Sequence, residues 1–143
     1  NNLNTNEIKN FITSRKDPLI NGKEPKDIAK KVAESLIGNK FNKTALNKLI
    51  ESISMLHKES YIKTIDASFA KTHAHIFKTI NVPTLIIVGE LDRLTPIKMA
   101  KKIKSIVKDS RLSIIPNAGH LSNIEQPKIF NEILFNFLKN VTL

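Results

Sequence analysis

The chain has no cysteine, only three arginines and four glycines among 143 residues, and no apolar run long enough to cross a bilayer. Each shortage removes a class of protein. Without cysteine there are neither disulfides nor thiolate metal sites, which fits a reducing compartment. No stretch approaches the ~20 apolar residues of a membrane span, and the N-terminus lacks the basic-then-apolar pattern of a secretory signal. A soluble, cytoplasmic protein is expected. The scarcity of arginine also decides how the net charge of +10 is read. Twenty lysines accompany 15 asparagines and 21 isoleucines, a bias that A/T-rich codons produce, and the arginine forks that grip phosphate are nearly absent. Lys30-Lys31 and Lys101-Lys102 with Lys104 suit solvated helix faces. No helix-turn-helix, zinc finger or aromatic RNA-binding motif accompanies the charge. Neither nucleic acid nor membrane is expected as a partner.

What is present divides near residue 71. Before it, every periodic apolar set is helical: Ile8, Phe11 and Ile12; Ile28, Val32 and Leu36 with Ala29, Ala33 and Ile37; Leu46, Leu49, Ile50, Ile53 and Leu56; Tyr61, Ile62, Ile65 and Phe69. Pro25 suits a first helical turn and Gly38 a stop, so the second helix is predicted over about Pro25 to Ile37. Residues 1–71 read as an all-α unit. From 72 to 143 the texture becomes strand, helix, strand, helix. Thr84 to Val88 is a continuous β-branched and aliphatic run, as in a strand buried on both sheet faces, and Arg111 to Ile115 is a second strand. Between them Thr95 is expected as N-cap and Pro96 as first-turn proline of a helix through Met99, Ile103, Ile106 and Val107. Pro127 opens a last helix whose apolar face carries Ile129, Phe130, Ile133, Leu134, Phe137 and Leu138. This order implies a parallel pair with a crossover helix. Two strands make no stable doubly wound sheet, and the chain opens Asn1-Asn2-Leu3 without methionine. It reads as a piece of a larger α/β protein.

Chemistry is expected at the carboxyl ends of the two strands, where parallel sheets place their ligands. Asp92 follows the first strand, and His120, after Pro116-Asn117-Ala118-Gly119, follows the second. Alone, Asp92 suits a turn residue capping the next helix, and His120 a polar loop residue. In this order at successive strand ends they form the acid and base of a Ser…Asp…His series lacking its first member. Glu90 is a second candidate acid. Gly119 is expected to let backbone approach a nucleophile, Asn123 and Glu125 to brace the histidine loop, and Arg93 to meet Glu90 or solvent. Ser122 sits outside any nucleophile turn. His73-Ala74-His75 diverge by about 200° on a helix and lack a third metal ligand. His57 suits a helix junction, and Met55, Leu56 and Phe69 suit helix packing better than a substrate pocket.

Ile80 to Pro96 together with Asn117 to Pro127 resembles the C-terminal part of the α/β-hydrolase family, particularly 3-oxoadipate enol-lactonase and related esterases. The likeness is good over 80–139 and extends weakly into Arg15–Gly38 and Ser54–Ala70. It implies a partial α/β-hydrolase fold, a helical cap (1–71) before the last two parallel strand-helix units (72–143), with Asp92 and His120 as triad members. It implies a small-molecule ester or lactone substrate, no cofactor, and a serine and oxyanion hole supplied by the missing N-terminal half. None of Gly22, Gly38, Gly89 and Gly119 begins a G-x-S-x-G motif. The alternatives are a non-catalytic remnant of a split or decaying gene, or a family member performing epoxide, haloalkane or C–C hydrolysis.

Overall fold

The computed structural model describes residues 5–39, 42–70 and 74–141. The chain divides into two compact units, one from Asn1–Ser35 and Leu46–Ala74, the other from Leu36–Ala45 and His75–Leu143. The second unit thus takes in a segment lying between two helices of the first half of the sequence.

The first unit is helical, built on α1 (Thr5–Ile20), α2 (Pro25–Leu36), α3 (Lys43–Ser54) and α4 (Lys58–Ala70). Proline opens α2, where a missing N–H costs nothing, and the Asp27 carboxylate accepts the Glu24 N–H at 2.8 Å beside it. The amphipathic spacing buries Ile28, Ala29, Val32 and Ala33 of α2 with Leu19, Leu49, Ile53 and Ile65. The helix α1 runs through Pro18, four turns in all, and brings Leu19 and Arg15 inside, beyond the set expected from Ile8, Phe11 and Ile12. Arg15 lies 3.7 Å over the Phe11 ring and donates to Ser35 Oγ at 2.8 Å. Burial lowers its pKa, partly offset by Tyr61, whose own hydroxyl is pushed up by burial and partly drawn back by Arg15. Met55 and Leu56 do not pack in the helical core as expected; they fall beyond the end of α3 and are 75% and 40% exposed. The Phe69 side chain and His73 lie outside the described residues.

The second unit contains a 3-10 turn (Ala74–Thr79), β1 (Thr84–Gly89), α5 (Ile97–Ile106), β2 (Ser110–Ile115), a single helical turn α6 (Ser122–Glu125) and α7 (Pro127–Lys139). The strands pair in parallel, in register from Thr84 opposite Ser110 to Gly89 opposite Ile115. Helix α5 packs on both strands and α7 on β2, burying Val88, Ala100, Val107, Ile115 and Ala118. The expectation that β1 is covered on both faces fails for most of its length. Thr84–Ile87 are half-buried and only Val88 and Gly89 fully buried, because β2 is the one strand paired with it among the described residues. Ile114, Phe135 and Leu138 are likewise 41%, 58% and 59% exposed. No described helix is long and apolar enough to cross a membrane.

Candidate active site

Both strands end in loops that are stitched to each other by backbone. Past β1, Glu90 N–H donates to Ile115 carbonyl at 2.9 Å and Leu91 N–H to Ala118 carbonyl at 2.8 Å. Glu90 turns its carboxylate to the Asn117 N–H at 3.1 Å, so it braces the other loop, and the carboxylate that meets His120 is that of Asp92. Asn117 takes the left-handed φ of 53° that its short polar side chain tolerates, turning the chain toward His120.

The stitching places Asp92 Oδ2 3.0 Å from His120 Nδ1. The two groups singled out from sequence meet. Asp92 is 7% exposed, and both its oxygens accept hydrogen bonds. Oδ1 accepts the N–H groups of Leu94 and Thr95, each at 2.9 Å, while Oδ2 accepts the Thr95 hydroxyl at 2.7 Å. The turn-forming and histidine-holding readings of Asp92 are therefore both realised, one by each oxygen. Burial by itself pushes this carboxyl up, but the hydrogen bonds from His120 and Thr95, with the charge of His120, outweigh it and carry the pKa down to about 2. A carboxylate so held stays ionised and accepts Nδ1–H, leaving Nε2 of the imidazole for other chemistry. The His120 side chain is 31% exposed against 4% for Asp92, so the base, unlike the acid, can be reached from outside.

Thr95 is not the N-cap predicted from sequence. Pro96 holds that position with no side-chain cap bond, and the Thr95 hydroxyl turns to Asp92 and lies 3.2 Å from His120 Nδ1. The hydroxyl's one hydrogen goes to a charged acceptor, a strong bond that holds the side chain on Asp92.

Beneath the histidine lies a second polar cluster. Glu125, 4% exposed, accepts Gly119 N–H at 2.7 Å through Oε1 and Gly38 and Asn39 N–H at 2.9 and 3.2 Å through Oε2. His120 N–H donates to the Leu36 carbonyl at 2.9 Å, and Arg93 Nη2 to the Ile37 carbonyl at 3.0 Å. Residues 36–39 thus strap the acid loop and the base loop together. Bracing by Glu125 is as expected, but its partners in the strap, and Arg93's, were not legible. Gly119 serves this crossing. A Cβ there would sit 2.3 Å from Gly38 N and 2.5 Å from Leu36 O, and one on Gly89 would sit 2.1 Å from Gly119 O. Three backbones pass at distances only glycine permits.

The other candidates lie elsewhere. Ser122 is buried at the start of α6; His57 Nδ1 lies 3.0 Å from Ser60 Oγ at the start of α4. Among the described residues no group of three His, Cys, Asp or Glu is placed to hold a metal ion. An open groove of about 590 Å³ on the helical unit, lined by Ser14, Asp17 and Lys31 among others, contains neither Asp92 nor His120.

The chain belongs to the alpha/beta hydrolase fold family, whose model matches residues 4–127. It is similar to 3-oxoadipate enol-lactonase 1 of Acinetobacter baylyi, 30% identical over 100 residues, 70% of this chain and 37% of that protein. It also resembles the 2-hydroxy-6-oxononadienedioate/2-hydroxy-6-oxononatrienedioate hydrolase of a Pseudomonas species, 29% identical over 83 residues, 57% of this chain and 29% of the other. A thermophilic esterase from Thermogutta terrifontis shares the fold, with a TM-score of 0.82 at 19% identity, covering 99% of this chain and 53% of the esterase. The chain spans less than half the length of those curated relatives and about half that of the esterase. It forms a partial α/β-hydrolase fold.

Proposed function

We propose that this chain supplies the acid and base of a serine hydrolase that cleaves a carboxylic ester or enol-lactone, and that residues 1–71 act as its helical cap. The observation that carries the reading is the contact between a buried, ionised Asp92 and a reachable His120 at 3.0 Å on loops beyond the strand ends. In this mechanism His120 Nε2 takes the proton of the serine hydroxyl as it attacks the substrate carbonyl, then returns it to the leaving oxygen. Asp92 keeps Nδ1–H oriented and stabilises the imidazolium, and water resolves the acyl-serine by the same route. The ester or lactone class is supported by the likeness to the enol-lactonase. The nucleophile and the oxyanion hole come from a first half not contained in these 143 residues.

Two measurements test it. The 143-residue chain is expected to turn over a p-nitrophenyl ester no faster than its His120→Ala variant. A longer chain carrying G-x-S-x-G upstream of Asn1 is expected to be labelled at that serine by a fluorophosphonate, and to lose labelling on His120→Ala. Turnover by the short chain above its control, or a longer chain labelled equally with and without His120, would overturn the assignment. Aspartate at the turn would move the reaction to another class.

A further inference from the structure

The Asp92 oxygen that faces the imidazole has a second donor. Thr95 Oγ1 is 2.7 Å from Asp92 Oδ2 and 3.2 Å from His120 Nδ1, closing a triangle with the 3.0 Å Asp92–His120 contact. With Nδ1 facing an ionised carboxylate, that nitrogen carries the proton. The hydroxyl has one hydrogen, which goes to the charged oxygen, and its lone pairs then lie beside Nδ1–H. Among the described residues Asp92 accepts four hydrogen bonds, two on each oxygen.

We propose that Thr95 is a positioning residue of the acid-base pair, whose hydroxyl shares the Asp92 oxygen facing His120 and thereby lowers the basicity of the imidazole. A hydrogen bond donated to a carboxylate draws charge from the oxygen that accepts it. Less charge then faces the imidazolium, and the neutral hydroxyl oxygen shares Nδ1–H without replacing what is lost. The group that holds Asp92 in place also tempers it. A merely structural threonine would leave His120's proton affinity unaltered. Of the other charged groups around the histidine loop, Glu125 binds the Gly119, Gly38 and Asn39 N–H groups, Arg93 Nη2 donates to the Ile37 carbonyl, and Glu90 binds the Asn117 N–H. Among the described residues, Asp92 Oδ2 and Thr95 Oγ1 lie within hydrogen-bond distance of Nδ1.

The proposal rests on the acid-base reading of the pair, yet it is tested without turnover. The 143-residue chain, labelled with 15N in its histidines, is titrated while the ring nitrogens are followed by long-range 1H–15N correlation, with His120→Gln to assign the signals. Thr95→Val is expected to raise the proton affinity of His120 about threefold over that in the parent chain. Thr95→Ser keeps the hydroxyl and is expected to titrate as the parent does. Should Thr95→Val fail to fold, Thr95→Ala gives the same reading with less bulk. An unchanged or lower pKa on losing the hydroxyl, or a serine variant shifted as far as valine, overturns the proposal. A chain that passes this test while every longer form proves inactive would sink the hydrolase assignment alone.

Discussion

Glu125 buries a carboxylate held by three backbone N–H groups, those of Gly119, Gly38 and Asn39. Glu125→Ala would leave those three donors without their acceptor in a buried place. A loss of about 3 kcal/mol or more is expected from urea unfolding, with Glu125→Gln falling between because one amide oxygen still accepts. Equal stability of the alanine variant and the parent would refute the strap. Asp92 has its own signature. Its carboxyl binds a proton more weakly when folded, with a pKa of about 2, than when unfolded, at about 4. The stability this contributes is therefore complete above about pH 4 and is lost as pH falls toward 2, on the order of 2 kcal/mol. Asp92→Asn should lose correspondingly less stability between pH 7 and pH 2.5; identical losses would contradict the hydrogen-bond geometry. Asp92 and His120 could be read from the sequence because parallel strands end where ligands bind, a rule that needs only the two strands. The roles of Thr95, Arg93 and Glu125 could not. Thr95 before a proline looks like a cap, and Glu125's acceptor role depends on residues 86 and 87 positions away.

Among the elements, periodicity located what was long. The strands and the helix opened by Pro127 fall within a residue or two of expectation, since a five-residue β-branched and aliphatic run and a proline at N1 are strong local signals. The short 3-10 helix at Ala74–Thr79 and the single turn α6 were missed because one or two turns show no period. So was the junction where β1's end, the histidine loop and residues 36–39 cross, because isolated glycines do not reveal what they pass. That junction yields a test. Gly119→Ala puts a Cβ against backbone at 2.3 Å, whereas at Gly22 there is nothing within 4 Å and only the positive φ of 91° to strain the side chain. The first is expected to cost about 3 kcal/mol and the second about 1 kcal/mol. Thermal melts that reverse this order would mean the three backbones do not cross as described.

For the whole molecule, the half-buried β1 and the outward faces of β2 and α7 leave large apolar side chains in water: Ile114, Leu134, Phe135 and Leu138 are each at least 36% exposed. Phe135 is only partly shielded, by Lys139 Nζ 4.5 Å from its ring centre. α7 buries no residue fully although seven aliphatic and aromatic residues lie along it. A helix of that pattern gains stability by covering its apolar face, at about 25 cal/mol for each Å² removed from water. The 143-residue chain should therefore bind a hydrophobic dye such as ANS in its folded state and associate as its concentration rises, despite the charge of +10 that opposes association. Phe135→Gln with Leu138→Gln is expected to reduce both effects while changing unfolding stability by only about 0.5 kcal/mol, as at exposed positions generally. If the double variant were instead destabilised by several kcal/mol, α7 would be packed more deeply than its exposure indicates, and the case for a further part of the fold covering it would fall.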